Sequence, residues 1–196
     1  MITAIILAAG MSTRMGRENK LLLPYKSESI LRHIILTLKK TKTQKIVTVL
    51  GHEADIVKRH IEDLNVETVV NPHYENGMCT SFQEGVRSLK KENVDGILLC
   101  LGDQPLVSEK SIEYLIDAYK ADQTATKVFI LSHNGKKGHP AILHPDTMDD
   151  ILKIPIDGTI REVVHKYQTD HTKIETDDGV IKDIDTKEDF LKYCEN

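Results

Sequence analysis

The sequence has no tryptophan and only three cysteines among its 196 residues. Cys79, Cys100 and Cys194 lie far apart and form no CxxC pair. The spacing therefore indicates neither a zinc site nor a disulfide framework. From this scarcity of cysteine we expect a reduced, cytoplasmic setting.

Long apolar runs are also missing, and none reaches the length of a membrane span. The apolar start of the chain, ITAIILAAG, lacks a cationic leader and is followed by basic residues, unlike a secretory signal. A net charge of -4 argues against general binding to nucleic acid or to an acidic membrane, because both need a broad cationic face. These absences predict a soluble protein that folds as one domain over residues 1–196 and binds any anion locally.

Apolar and amphipathic segments alternate along the first two thirds of the chain. Residues 2–9 and 96–103 are apolar on both faces, as in buried parallel strands. Further strands are predicted over residues 45–51, 66–71 and 127–132, and helical spacing predicts helices over 29–40, 53–64, about 82–89, and 108–119. Right-handed crossovers would place helices on both sheet faces, which predicts a Rossmann-like three-layer α/β/α fold with a mostly parallel sheet.

The regular alternation ends after Ser132. We expect two short helices, and then a hairpin in which Asp178-Gly179 joins KIET to VIKDI. A last amphipathic helix is predicted over residues 187–193.

Two segments with candidate chemistry should meet at one edge of this sheet. Ligands of such folds collect where the parallel strands end, and both the loop from Gly10 to Gly16 and Asp103 follow apolar strands. Glycines permit positive φ and let N–H groups point at phosphate oxygens, while Arg14 offers a planar fork and Lys20 a mobile charge. The spacing fits neither GxxxxGK[ST] nor GxGxxG. An ordinary loop with solvated basic residues is the alternative.

The stretch LAAGMSTRMGRENKLLLP, residues 7–24, resembles the LAAGxSxRMGxxKxLLP signature of the MobA-like nucleotidyltransferases. Four later segments resemble further elements of that family in the same order: NPHYENGMCTSFQEGV, LGDQPLV, GHPAIL and DIDTKEDF. The resemblance spans nearly the whole chain and is greatest to the molybdenum cofactor cytidylyltransferases. It implies a Mg²⁺-dependent enzyme that transfers CMP from CTP to the terminal phosphate of molybdopterin cofactor and releases pyrophosphate.

The resemblance also implies roles for individual residues. The nucleotide-binding set is Leu7, Ala8, Ala9, Gly10, Ser12, Arg14, Lys20, Gly77, Met78 and Ser81. The catalytic set is Arg14, Lys20 and Asp103, the metal ligands are Asp103 and Asp185, and the acceptor-binding set is Gly138, His139, Pro140 and Arg161. Residues 1–107 would then form the nucleotide-binding half, and residues 108–196 the half with the acceptor site and the second metal ligand.

The residues themselves support the metal site but leave it open. A carboxylate at the end of a rigid strand, such as Asp103, can hold Mg²⁺ against a triphosphate, although an aspartate before Pro105 also suits a turn. Alternation along the predicted hairpin strand would put Asp183 and Asp185 on one face, so both are candidates for the second ligand. Solvated acids are the alternative there. We further expect Asp103 to be exposed.

The base and acceptor sites rest on weaker signals. Ala9 stands where guanylyltransferases of the wider family carry LAGG, and its methyl group favours CTP over GTP. Met78 could be near the base or simply pack in the core. The resemblance of NGKKGHPAIL to the segment that lines the family's pterin pocket makes Lys136, Lys137 and His139 candidates to meet an anionic acceptor. The alternatives are a solvated turn for the two lysines and, for His139, a histidine fixed by local backbone bonding.

One segment departs from the family pattern. The family's GDxGAR turn is replaced by IDGTIREVV, which keeps Asp157, Gly158 and Arg161 but carries the larger Thr159 and Ile160. The acceptor therefore stays open, and a sugar or polyol phosphate is an alternative to molybdopterin. A third hypothesis is a non-catalytic accessory protein of molybdenum hydroxylases, whose apoenzyme is also the expected partner of the cytidylyltransferase.

Overall fold

The computed structural model describes residues 1–15, 18–124, 126–167 and 171–194. The strands are β1 (Ile2–Ala8), β2 (Pro24–Tyr25), β3 (Glu28–Ser29), β4 (Lys45–Leu50), β5 (Glu67–Val70), β6 (Gly96–Leu101), β7 (Val128–His133), β8 (Lys136–Leu143) and β9 (His171–Glu175). The helices are α1 (Ile30–Lys39), α2 (Ala54–Ile61), α3 (Met78–Ser88), α4 (Glu109–Ala121), α5 (Met148–Leu152), α6 (Ile160–Lys166) and α7 (Lys187–Cys194).

Seven of these strands form one sheet in the order β5-β4-β1-β6-β8-β7-β9. Only β8 runs antiparallel to its two neighbours, and the other pairs are parallel. β2 and β3 form a separate small hairpin. The predicted mostly parallel α/β sheet is therefore confirmed.

The central strand β1 is buried along its whole length, and all its residues except Thr3 are apolar, as expected for a strand that is covered on both faces. Ile6 faces a core cluster that includes α1, α2 and α4, while Ile5 faces a cluster that includes α3, α5 and α6. Complete burial of one such isoleucine stabilises the fold by about 2 to 3 kcal/mol. Two faces, each covered by helices, give the predicted three layers.

The regular alternation of strands and helices ends after β7, as predicted. The prediction lacked the next strand, β8, which is the antiparallel partner of β7, and was wrong there. Asn134 and Gly135 both have positive φ, as a tight hairpin turn requires. Gly138 and Pro140, residues that usually disfavour strands, obscured β8 in the sequence.

The predicted hairpin at Asp178-Gly179 was also wrong. Residues 178–181 form a short 3-10 turn, and β9 pairs in parallel with β7 instead. A Cβ on Gly179 would lie 2.2 Å from the carbonyl oxygen of Leu106, so this glycine lets the chain pack onto the loop after β6. No helix within the described ranges is long and apolar enough to cross a membrane.

Candidate functional site

A cavity of about 390 Å³ opens where β1 and β6 end. Four parts of the chain form it: the loop after β1, the loop after β6, the start of α3 and the segment before α7. It is lined by Leu7, Ala8, Ala9, Gly10, Met11, Ser12, Thr13, Arg14, Lys20, Leu21, Tyr74, Glu75, Gly77, Met78, Ser81, Leu101, Asp103, Asp183 and Asp185. The whole nucleotide-binding set inferred from sequence thus lies around one cavity.

Four charged side chains of this cavity form one ion-pair cluster. The ammonium of Lys20 donates hydrogen bonds to Asp103 Oδ2 at 2.6 Å and to Asp185 Oδ1 at 2.9 Å. Arg14 Nη2 lies 2.9 Å from the other oxygen of Asp185. The side chains of Lys20 and Asp103 are only 12% and 21% exposed. The structure therefore joins residues that are up to 171 positions apart in the sequence, from Arg14 to Asp185.

Burial acts on both members of the Lys20–Asp103 pair. Burial lowers the pKa of the Lys20 ammonium, but the two carboxylates outweigh it, and the net pKa lies above its usual value. Burial also raises the pKa of the Asp103 carboxyl, opposed by Lys20 and reinforced by the like charges of Asp183 and Asp185.

The backbone of the first loop differs from the expected one. The left-handed conformation belongs to Ser12, with φ of 53°, and Gly10 does not adopt it. Ser12 Oγ accepts a hydrogen bond from the backbone N–H of Lys20, which fixes the lysine at the start of a 3-10 turn. A Cβ on Gly10 would meet no protein atom within 4 Å, so the backbone is open there. Gly16 lies outside the described residues.

Asp103 is largely buried, so the prediction that it is exposed was wrong. The chain turns at Gly102, whose N–H bonds to the Leu7 carbonyl, and the carbonyl of Asp103 accepts a hydrogen bond from Ile184 N–H at 2.9 Å. The second carboxylate oxygen of Asp103 is buried and has no hydrogen-bond partner among the described residues.

Asp183 and Asp185 do not lie in a strand, contrary to the predicted alternation. They follow the 3-10 turn as an irregular segment, yet both line the cavity. Gln104 Nε2 donates to Asp183, and the backbone N–H of Asp185 donates to the carboxylate of Asp189 at the start of α7. Gln104 was missed as a site residue, although it directly follows Asp103 in LGDQPLV.

Two carboxylates of the charged cluster have the chemistry of Mg²⁺ ligands. Among the residues that the structure describes, no three His, Cys, Asp or Glu side chains form a ready-made metal cluster. Mg²⁺ usually takes one or two carboxylates and completes its shell with phosphates and water. Asp103 and Asp185 supply two carboxylates at the cavity. The unpartnered oxygen of Asp103 is buried, and the other oxygen, Oδ2, is bonded to Lys20.

Another part of the same cavity is shaped by uncharged residues. Ala9 is only 4% exposed, and a Cβ on Gly51 would lie 2.7 Å from its methyl carbon. Tyr74 also packs against Gly51 and lines the cavity, although sequence reasoning did not single it out. Met78 is 53% exposed, so it is not a core residue.

A second cavity of about 940 Å³ adjoins the first, and Gly77 and Met78 line both. Apolar side chains and basic side chains line it, and no described Asp or Glu does. The basic residues are Lys137, His139, Arg161, His165, His171 and Lys173. His165, His171 and Lys173 were missed by sequence reasoning, because none of them lies in a segment that resembles a family motif.

The acceptor set predicted from sequence is only partly gathered here. Gly138, His139 and Arg161 line the second cavity, whereas Pro140 faces a separate small space beside Gln104. Gly138 also has a packing role, since a Cβ added at this position would lie 2.2 Å from the carbonyl oxygen of Val180. Burial lowers the pKa of the His139 imidazole, opposed by the charge of Asp183.

Solved structures with this fold include nucleotidyltransferases. The chain superposes with a TM-score of 0.84 on a nucleotidyl transferase of Methanothermobacter thermautotroptrophicus, which is 24% identical, over 100% of this chain and 96% of that one. The Rv0371c protein of Mycobacterium tuberculosis gives a TM-score of 0.85 at 26% identity, over 100% of this chain and 97% of that one.

Residues 4–172 match the MobA-like NTP transferase domain, and the chain belongs to this family. The molybdenum cofactor cytidylyltransferase of Escherichia coli (strain K12) is 27% identical over 194 residues, which cover 97% of this chain and 94% of the relative. The family resemblance inferred from the five motifs is therefore confirmed.

Proposed function

We propose that this protein is a cytidylyltransferase that transfers CMP from CTP to the terminal phosphate of molybdopterin cofactor and releases pyrophosphate. The observation that carries the proposal is the ion-pair cluster of Arg14, Lys20, Asp103 and Asp185 on the wall of a cavity that adjoins a second, basic cavity. The likeness over nearly the full length to the Escherichia coli cytidylyltransferase supports the choice of substrates.

Transfer at phosphorus needs positioning and charge neutralisation more than covalent help from the protein. The open backbone around Gly10 and the side chains of Arg14 and Lys20 would hold the triphosphate and stabilise charge that develops on the α-phosphoryl and leaving groups. No side-chain nucleophile is required, because an oxygen of the acceptor phosphate attacks the α-phosphorus in line with the departing pyrophosphate.

Asp103 and Asp185 would hold Mg²⁺, with Asp183 as the neighbouring candidate. The ion would neutralise phosphate charge and polarise the phosphoryl oxygens. Gln104 restrains Asp183 through its amide, and Asp189 restrains the backbone of Asp185, so both acids are oriented by the fold.

The second cavity suits an anionic, partly apolar acceptor. Lys137 and Arg161 provide cationic groups, while Leu99 and Ile130 belong to an apolar lining on which a heterocycle can pack. Because Gly77 and Met78 line both cavities, an acceptor phosphate in the second cavity can approach the α-phosphate in the first.

Cytosine is the proposed base because Ala9 leaves little room for a purine in the first cavity. Its methyl group is buried beside Gly51 and Tyr74, and a larger base would have to displace that packing.

The reaction that tests the proposal is the release of pyrophosphate from CTP or GTP with Mg²⁺ and one acceptor: molybdopterin cofactor, a sugar phosphate or a polyol phosphate.

We expect pyrophosphate release with CTP as the nucleotide and molybdopterin cofactor as the acceptor. Turnover with only a sugar or polyol phosphate as acceptor would contradict the acceptor assignment. Turnover with GTP but not with CTP would contradict the assignment of the base. If CTP binds, no acceptor reacts and a molybdenum hydroxylase co-purifies, the accessory-protein hypothesis is favoured. The proposal places the reaction in the cytoplasm and makes a hydroxylase apoenzyme the recipient of the product.

The hairpin between β7 and β8 offers a matched pair of variants for the acceptor site. Lys137 lines the second cavity, whereas its neighbour Lys136 lines neither cavity. Lys137→Met should raise KM for the acceptor and leave KM for CTP unchanged, and Lys136→Met should change neither. Equal effects of the two variants would remove the second cavity from the proposal.

A further inference from the structure

We propose that Lys20 acts as an internal counter-ion that couples the binding of a divalent cation to the binding of a triphosphate. The inference rests on the nucleotide site of the proposed function, but on neither the base nor the acceptor. Its consequence is that the protein binds the cation weakly by itself and tightly only when the triphosphate is bound.

The geometry places the Lys20 ammonium where a bridging cation would have to be. Its nitrogen lies 2.6 Å from one oxygen of Asp103 and 2.9 Å from one oxygen of Asp185. Mg²⁺ binds oxygen at about 2.1 Å, so an ion that bridges the same two atoms needs nearly the same position. The ammonium and such an ion therefore compete.

When no ligand is bound, the position of the Lys20 ammonium between the carboxylates is strongly favoured. Asp103, Asp183 and Asp185 converge on one cavity, and their mutual repulsion is relieved by the cations beside them. Lys20 and Asp103 are mostly buried, so a displaced ammonium without a new partner would leave an uncompensated charge in a region of low dielectric.

A triphosphate removes this obstacle, because its oxygens offer the ammonium another set of acceptors. The backbone N–H of Lys20 is held by Ser12 Oγ at 3.2 Å, while the four-carbon stem can move the charged end. The triphosphate oxygens would then accept the ammonium, and Asp103 and Asp185 would be left to hold the cation. Coupling of this kind is reciprocal, so the cation strengthens triphosphate binding by the same factor.

The test is a titration with Mn²⁺ alone, followed by electron paramagnetic resonance of the free ion. Lys20→Met should bind Mn²⁺ on the order of tenfold more tightly than the wild type, within the range of ordinary coupling energies. Without a cation it should bind tripolyphosphate less tightly. Mn²⁺ alone should also raise the Tm of this variant and leave the wild-type Tm nearly unchanged.

Arg14→Met is the matched control for charge, because Arg14 also pairs with Asp185 but does not pair with Asp103. Its effect on Mn²⁺ affinity should be clearly smaller. If Lys20→Met does not fold, Lys20→Gln replaces it, because glutamine keeps a hydrogen-bond donor. We expect the same gain in Mn²⁺ affinity from this variant. Unchanged Mn²⁺ affinity in both Lys20 variants, or an equal gain in Arg14→Met, would overturn the inference.

These outcomes are distinguishable from failure of the proposed function. Mn²⁺ and tripolyphosphate contain neither a base nor an acceptor, so the coupling can hold although CTP or molybdopterin proves not to be the substrate. Conversely, pyrophosphate release from CTP would stand even if Lys20→Met bound Mn²⁺ no better than the wild type.

Discussion

The replacement Asp103→Asn tests separately how much Asp103 contributes to catalysis and how much it contributes to the stability of the fold. It removes one charge next to the Lys20 ammonium and keeps the size of the side chain. Loss of one partner from a buried ion pair costs about 3 to 5 kcal/mol when the other charge is left alone. Lys20 keeps Asp185 at 2.9 Å, so we expect a smaller loss of about 1 to 2 kcal/mol.

For a domain of this size, that loss lowers the Tm by roughly 2 to 8 °C, which differential scanning calorimetry resolves. Turnover should fall much further. A cation at the transferred phosphoryl group contributes several kcal/mol, and a loss of about 4 kcal/mol corresponds to roughly a thousandfold lower kcat. Pyrophosphate release within tenfold of the wild type would refute the role of Asp103, and so would complete unfolding, since lost activity would then have a structural cause.

Three further changes test packing and protonation. Gly138→Ala should cost about 1 to 3 kcal/mol in urea unfolding, because the new methyl carbon meets the Val180 carbonyl; an unchanged midpoint would contradict this packing. Gly77→Ala should cost about 1 to 2 kcal/mol, since φ is 103° there, and wild-type stability would show that the turn relaxes freely. Burial holds the pKa of His139 and His33 below 6.5, so the unfolded chain protonates first and stability should fall below pH 6.5, by at most about 1.4 kcal/mol per pH unit for each histidine. His139→Gln should flatten that decline, and an unchanged slope in urea unfolding between pH 7 and 5.5 would contradict it.

Local pattern was sufficient to predict the first two thirds of the fold. The almost entirely apolar β1 and β6 identify central strands. The helix predicted from residue 108 is α4, which Ser108 caps by accepting the N–H of Ser111. The later elements depend on contacts that no local pattern encodes. Gly179 packs on the carbonyl of Leu106, and this close approach determines that the chain turns there and does not form a hairpin.

The site shows the same division. Arg14 and Lys20 stand out because they follow a buried strand, and the family motif points to Asp103 and Asp185. Their ion pairs, and the burial of Asp103, follow only from the tertiary arrangement of the loop after β6 and the segment before α7. His171 and Lys173 belong to an edge strand, where alternation alone does not show which face meets a cavity.

A crystal structure of the protein with CTP and Mg²⁺ tests the central claim most directly. The account predicts a triphosphate along the loop from Gly10 to Lys20, with the ion bound to Asp103 and Asp185 and the Lys20 ammonium moved onto phosphate oxygens. A nucleotide bound elsewhere, or an ion that contacts neither of these two acids, would contradict it.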